Sequence, residues 1–294
     1  MGIAPSHLHC IPNGVDTESF RPGPDTWAGN VRSGDVPSSN VPSENVPSGD
    51  MPSASLRTRL GIGEGLPLVG FVGRLSPEKG PELFVRCAQR VLERQPQAHF
   101  VVIGDGPQRA TVEARIDRLG LRGRVHLAGM QASMPTLYPQ LDLLVCSSLS
   151  EAMPLAVMEA MACSLPVVAT AVGGVPDLVV QGLTGSLVGH GDVDGLANEV
   201  AALLADPATR REMGRQGRRR IQQRFALDHS VGAIGALLQR LAQRGEASAA
   251  SAGVRIRPSA AEPDGAIVQP VRVGRARGNG RSTGVRPATA EEKR

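Results

Sequence analysis

From Leu66 to Leu241 the sequence alternates short, uninterrupted apolar runs with amphipathic stretches, and this alternation restricts the fold more than any other feature. The runs are Leu68–Gly73, His99–Ile103, Val125–Leu127, Leu143–Cys146 and Pro166–Ala169, with a last one near Ser186–Val188. Between them lie Pro81–Arg94 (apolar at Leu83, Phe84, Cys87 and Val91), Gln108–Leu119, Ser133–Gln140 and Pro154–Ala162. The segments Val193–Ala205, Pro207–Phe225 and Ala226–Leu241 follow. A continuous apolar strand needs cover on both faces, and amphipathic helices between strands supply it. The pattern predicts an α/β fold: one doubly wound parallel sheet spanning residues 66–242.

The flanks read differently. Residues 24–65 carry Val36-Pro37-Ser38, Val41-Pro42-Ser43, Val46-Pro47-Ser48 and Met51-Pro52-Ser53, a repeat of period five. A proline every fifth residue removes backbone donors and biases the preceding residue toward extended geometry, so helix and central strand are excluded. The stretch is expected to be a flexible insertion, with a ligand for a peptide-binding domain as the alternative. Residues 243–294 are rich in Ala, Ser, Gly, Pro and Arg and are expected to form a disordered basic tail. Residues 245–294 hold nine Lys/Arg and five Asp/Glu, a surplus of four that equals the net charge of the whole chain (32 against 28), so residues 1–244 balance at 23 against 23.

The basic character therefore says little about the folded part. Arg210, Arg211, Arg215, Arg218, Arg219, Arg220 and Arg224 cluster on one predicted helix but have no aromatic platform for bases. A solvated helix face is expected, with anionic lipid or an interdomain surface as alternatives, and no nucleic-acid partner. No stretch reaches the roughly 18–20 apolar residues of a membrane span, and the start lacks the basic flank and apolar run of a signal peptide. Cys10, Cys87, Cys146 and Cys163 are scattered, which argues against a disulfide framework or a zinc site and suits a cytoplasmic location. His99 and His126 open strands and read as packing or hydrogen-bonding residues.

In an open parallel sheet the ligand binds at the carboxyl ends of the strands. Four segments should meet there. Gly73-Arg74-Leu75-Ser76-Pro77-Glu78-Lys79-Gly80 puts two cations on a glycine-bounded loop, unless Glu78 and Lys79 are merely a surface pair. Gly104-Asp105-Gly106-Pro107 is a generic turn. In Glu151-Ala152-Met153-Pro154-Leu155, Pro154 is placed to open a helix at its first turn, whose free amides and positive end make an anion site. Glu151 and Glu159 are eight positions apart, about 80° around an ideal helix, so spacing alone does not put them on one face. The plain alternative is that Glu151 caps the helix and Glu159 is a surface carboxylate. Gly173-Gly174 forms the fourth turn, expected to let backbone approach a ligand.

Taken in order, these residues resemble the donor-binding, C-terminal domain of retaining GT-B glycosyltransferases of family 4, the group 1 glycosyl transferases. The resemblance covers about 9–22 and 66–240. It is carried by Ile11-Pro12-Asn13-Gly14-Val15-Asp16 and Phe20-Arg21-Pro22, then Gly73-Arg74 with Lys79-Gly80, Gly104-Asp105-Gly106-Pro107 and Leu127-Ala128-Gly129. Leu141-Asp142-Leu143, the Glu151/Glu159 pair, Pro166-Val167-Val168-Ala169-Thr170, Gly173-Gly174 and Met213, Gly217 and Arg218 complete it. The resemblance implies a single Rossmann-like sheet, the C-terminal half of a GT-B fold, behind a leading segment (residues 1–23). It implies that Arg74 and Lys79 neutralise the diphosphate of a nucleotide-sugar donor, and that Met153, Pro154 and Leu155 offer backbone to it. Glu159 would accept the ribose hydroxyls, and Glu151 would be the catalytic carboxylate beside the sugar. No cofactor beyond the donor itself, and no metal, is implied.

Two positions depart from the family pattern. Ala152 stands where a glycine usually follows the first glutamate, and would strain the loop if that position needs positive φ. Cys163-Ser164 stands where a glycine usually precedes the Leu-Pro-Val-Val strand. With only eight residues before His9, an acceptor-binding half is not expected within this sequence. The expectation is therefore a glycosyltransferase polypeptide whose acceptor half lies on a separate domain or subunit, peripheral membrane contact being open. The alternative is a non-catalytic nucleotide-sugar-binding module or a truncated remnant.

Overall fold

Six parallel strands build the molecule's centre: β1 (Leu68–Val72), β2 (His99–Ile103), β3 (Val125–Gly129), β4 (Leu143–Cys146), β5 (Val167–Thr170) and β6 (Gly185–Val188). Their spatial order is β3-β2-β1-β4-β5-β6. The computed structural model describes residues 9–23 and 55–251. The Pro/Ser repeat and residues 252–294 lie outside the described residues, and with them the flexibility expected of both. Helices alternate with the strands as the sequence pattern requires: α1 (Leu56–Arg59), α2 (Pro81–Leu92), α3 (Arg109–Arg118), α4 (Met134–Leu137), α5 (Leu155–Ala162), α6 (Val175–Leu178), α7 (Val193–Ala205), α8 (Pro207–Arg224) and α9 (Leu227–Ser251).

Both faces of the sheet are covered, and successive residues of one strand feed opposite layers. Val69, Phe71, Phe100 and Val102 face the layer of α2, α3 and α7. Leu68, Val101 and Ile103 face the layer of α5 and α8. Helix α2 shows the cause: Phe84, Cys87, Ala88 and Val91 recur at helical spacing and are fully buried. Phe84 sits between Phe71 and Phe100, with ring centroids 5.5 Å and 5.9 Å away. Burying such a side chain contributes about 1.5–3 kcal/mol. Helix starts are set locally. Asp192 accepts the Gly195 amide at 2.8 Å ahead of α7, and Asp206 accepts the Ala208 and Thr209 amides at 3.0 Å ahead of α8.

Three boundaries differ from the sequence expectation. Residues 55–65, expected within the insertion, pack against the sheet domain: Leu56 and Ile62 are buried, and Arg57 bonds Asp142 (2.8 Å), Leu66 O and Gln140 O. The segment expected as one helix over 133–140 is α4 followed by a 3-10 turn, Tyr138–Gln140, since Pro139 has no amide to extend the α-helical ladder. Helix α9 runs past Leu241 to Ser251.

The arginines of α8 are more than a solvated face. Arg218 donates to the carbonyls of Phe20 (3.0 Å), Thr17 (3.3 Å) and Ala162, while Arg220 donates to Leu178 O (2.8 Å) and Asp177 O (2.6 Å). Arg210 reaches Asp142 at 3.4 Å, and Arg215 pairs with Glu212. His99 and His126 join β2 to β3 through Nδ1 and Nε2 at 3.1 Å, and Arg124 Nη1 lies 3.1 Å from His99 Nε2. Arginine only donates, so His99 Nε2 accepts and its proton sits on Nδ1, facing His126. Burial first, then neighbouring positive charge, holds both imidazoles below the usual histidine range. No helix among the described residues is long and apolar enough to cross a membrane.

Candidate functional site

The strand order reverses between β1 and β4, and in such sheets the crevice at that reversal, at the carboxyl ends, is where ligands bind. The two loops that border it are clasped together. Leu149 and Ser150 donate their amides to the Glu78 carbonyl (2.7 and 3.3 Å), and Ser147 Oγ donates to Gly80 O at 2.8 Å. Gly80 is required twice over: its φ is +61°, and a Cβ there would collide with the Ser147 carbonyl oxygen.

The other two turns brace these loops. Asp105 O accepts the Leu75 amide at 2.9 Å, and Leu75 O accepts that of Gln108 at 2.8 Å. Gly173, at φ +51°, lies against the Glu151 carbonyl, and the Gly174 amide donates to Ala152 O at 3.0 Å. The Gly173-Gly174 turn thus approaches protein backbone, where the sequence led us to expect close approach to a ligand.

Between the loops is a cavity of about 400 Å³ whose lining includes Arg74, Lys79, Glu151, Met153, Pro154 and Leu155, with Asn13 and Ser148. Lys79 and Glu151 meet directly. Lys79 Nζ lies 2.7 and 2.8 Å from the two Glu151 carboxylate oxygens, so its partner is Glu151 and not the adjacent Glu78. Glu78 bonds Ser76 Oγ instead, which holds its carboxyl below the usual range. The Glu151 side chain is only 7% exposed, and Ser148 Oγ donates to it at 2.7 Å. Thr170 in turn donates to the Ser148 carbonyl, so a polar relay runs from the end of β5 to the cavity. Arg74 is exposed and makes no ion pair among the described residues.

Helix α5 begins one residue later than expected. Pro154 is the residue ahead of it, with φ −72° and ψ 115°, and its carbonyl accepts the Val157 and Met158 amides (3.2 and 3.3 Å). Glu151 does not cap this helix, since no side chain does. No acceptor among the described residues takes the Leu155 and Ala156 amides, and both residues line the cavity. The feared strain at Ala152 is absent. Among the described non-glycine residues only Ser164 has positive φ, at 59°.

Glu159 is set apart from the cavity lining, one helical turn beyond Leu155 on the same side of α5. It is no plain surface carboxylate. Tyr138 Oη donates to its Oε2 at 2.7 Å, and burial raises its pKa against that hydrogen bond. Sequence reasoning missed Tyr138 and Ser148 as the hydrogen-bond partners of Glu159 and Glu151, and Asn13 as part of the cavity lining. A buried tyrosine needs a partner for its hydroxyl, which was a signal, but nothing in the sequence pointed to Glu159 as that partner.

Residues 53–220 match the family model described as glycosyl transferases group 1. The chain is 32% identical over 226 residues to a D-inositol 3-phosphate glycosyltransferase of Kribbella flavida, covering 73% of this chain and 46% of that protein. It therefore spans about half the length of the curated relatives it matches. Among solved structures it resembles Anabaena HepE in complex with UDP-glucose, with a TM-score of 0.64 and 27% identity over 78% of this chain and 57% of that one. It shares the fold of the C-terminal domain of a group 1 glycosyl transferase from Francisella tularensis, at TM-score 0.57 and 24% identity over 73% of this chain and all of that one. Sequence match and sheet topology agree, and the chain belongs to the group 1 glycosyl transferases, whose fold is GT-B.

Proposed function

We propose that the cavity at the strand-order reversal binds the diphosphate of a nucleotide-sugar donor, and that the chain is the donor-binding part of a retaining glycosyltransferase of family 4. One observation carries the reading: Arg74 and Lys79 converge with the open amino end of α5 on a single cavity. Cleavage of a glycosyl–phosphate bond places negative charge on the departing diphosphate. Cations and amide dipoles already fixed at that place stabilise the transition state more than the bound donor.

Each group then has a task. Arg74 is an exposed cation with no ion pair among the described residues. Lys79 carries three ammonium protons and spends two on Glu151, so an arriving diphosphate finds one free and competes for the others. Glu151, still tethered by Ser148, is the group beside the sugar. Met153, Pro154 and Leu155 contribute backbone and apolar wall, and Glu159 accepts the ribose hydroxyls. An acceptor-binding half on a separate domain or subunit completes the cleft that holds both substrates and excludes water. We place the reaction in the cytoplasm. A relative of this fold in complex with UDP-glucose supports the choice of donor class.

Calorimetric titration of the full chain with UDP-sugars and GDP-sugars tests the reading. Arg74→Ala and Lys79→Ala should each weaken binding about tenfold or more, the worth of one charge-assisted hydrogen bond. Because Lys79→Ala orphans Glu151, the Lys79→Ala/Glu151→Gln pair serves as its control and should bind as weakly. Absence of binding across the panel, or binding indifferent to both cations, overturns the assignment.

A further inference from the structure

We infer that Tyr138 is a positioning residue for nucleotide recognition, holding the Glu159 carboxylate so that its second oxygen faces the ribose diol of the donor. The inference rests on the donor reading above, and adds to it a residue that touches no ligand.

Three observations carry it. First, the two oxygens of Glu159 are unequal. Oε2 accepts from Tyr138 Oη at 2.7 Å, whereas Oε1 has no hydrogen-bond partner among the described residues. Among the described residues, Gln108 Oε1 is the one side-chain atom that is both fully buried and unpartnered, so Glu159 Oε1 is not fully buried there. Second, Glu159 is four residues after Leu155 and three after Ala156, so it continues the face of α5 that lines the cavity. A ligand whose diphosphate sits at the amino end of that helix has room to lay its ribose one turn along.

Third, Tyr138 is held in place by its surroundings. It is fully buried, and its ring meets the edge of Phe20 at 6.0 Å and 63°. Phe20 is itself anchored through its carbonyl to Arg218 and through its amide to Asp16 O. Two residues on, Gln140 accepts the Leu56 amide at 2.7 Å and donates to Thr136 O at 2.7 Å, which pins the 3-10 turn. A glutamate side chain otherwise loses about 1.5–2 kcal/mol of rotamer freedom when a ligand fixes it. A rigid hydroxyl that fixes it beforehand removes part of that cost from binding.

The experiment measures UDP and GDP against their 2′,3′-dideoxy analogues and against inorganic pyrophosphate, in the wild-type chain and in Tyr138→Phe. The wild type should prefer the ribose form of its nucleotide by about tenfold, as expected for hydrogen bonds to an ionised carboxylate. Tyr138→Phe should lose most of that preference while binding the dideoxy nucleotide and pyrophosphate as the wild type does. A wild type that does not distinguish ribose from dideoxyribose overturns the placing of Glu159. A wild type that distinguishes them and a Tyr138→Phe chain that still does overturns the role of Tyr138 alone. Equal weakening of all three ligands makes Tyr138 a structural residue and also overturns it. Should Tyr138→Phe fail to fold, Phe20→Leu repeats the test: it loosens the ring but keeps the hydroxyl, and should reduce the same preference by a smaller factor. An unreduced preference there overturns the inference.

Discussion

Replacing Ser164 by glycine should stabilise the chain. Helix α5 ends in two nested hydrogen bonds, Leu165 N to Ala160 O at 2.9 Å and Ser164 N to Met161 O at 3.0 Å, with Ser164 at φ 59° between them. This is the Schellman arrangement, in which the left-handed residue is usually glycine because any Cβ is penalised there. The left-handed conformation costs an L-residue about 1–2 kcal/mol. Glycine's larger freedom in the unfolded chain returns about 0.5–1 kcal/mol of that. The serine hydroxyl makes no hydrogen bond among the described residues, so nothing else is lost.

The net gain is about 0.5–1 kcal/mol. With a urea m-value of about 2 kcal/mol per molar, the unfolding midpoint should rise by about 0.25–0.5 M at constant m. Urea titration followed by far-UV circular dichroism reads this directly. A midpoint that is unchanged or lower would falsify the argument that backbone strain is stored at Ser164. Gly214→Ala is the opposing control: a Cβ at Gly214 would collide with the Ser164 carbonyl oxygen and should cost about 1–3 kcal/mol.

Gly80→Ala should cost about 2 kcal/mol or more and abolish donor binding, because φ +61° and the Ser147 carbonyl both exclude a Cβ; near-normal titration curves for the variant would contradict the clasp between the two loops. Burial raises the folded pKa of Glu159 above the usual carboxylate range, so its protonated form favours folding. That contribution is complete below the unfolded value and is lost as pH rises through the folded one. Glu159→Gln should therefore gain stability relative to the wild type on going from pH 4.5 to neutral, and a difference independent of pH would refute the desolvation of this carboxylate. Cys10 is exposed, while burial pushes the Cys87 and Cys163 thiols up to about 12 and raises Cys146. One thiol should react promptly with a disulfide reagent at pH 8 and three more only in denaturant; several prompt equivalents would show that the core opens.

The sheet was legible because continuous runs such as His99–Ile103 have one stable destination, a strand covered on both sides. The carboxyl-end cavity followed from the topology and from two cations on one glycine-bounded loop. Leu56 and Ile62 were not legible as core, since they adjoin the Pro/Ser repeat and their burial depends on Arg57 reaching Asp142, 85 residues away. The partnership of Lys79 with Glu151 was hidden for the same reason: spacing within one helix says nothing about a loop 72 residues earlier. Ser164 was flagged as a departure, and the structure gives the flag its meaning, a left-handed cap held by a residue that pays for it.

The attachment of residues 12–20 to the body of the domain has a mechanical consequence. Val15 exchanges hydrogen bonds with Phe225 and Leu227 (2.9 and 3.0 Å), Ser230 Oγ donates to Pro12 O at 2.8 Å, and Arg218 grips the carbonyls of Thr17 and Phe20 while also touching that of Ala162. A load applied ahead of Pro12 therefore meets these bonds first, and the Arg218 guanidinium links them to the carbonyl that ends α5. Tension on residues 12–20 would thus be felt by the helix that opens onto the cavity.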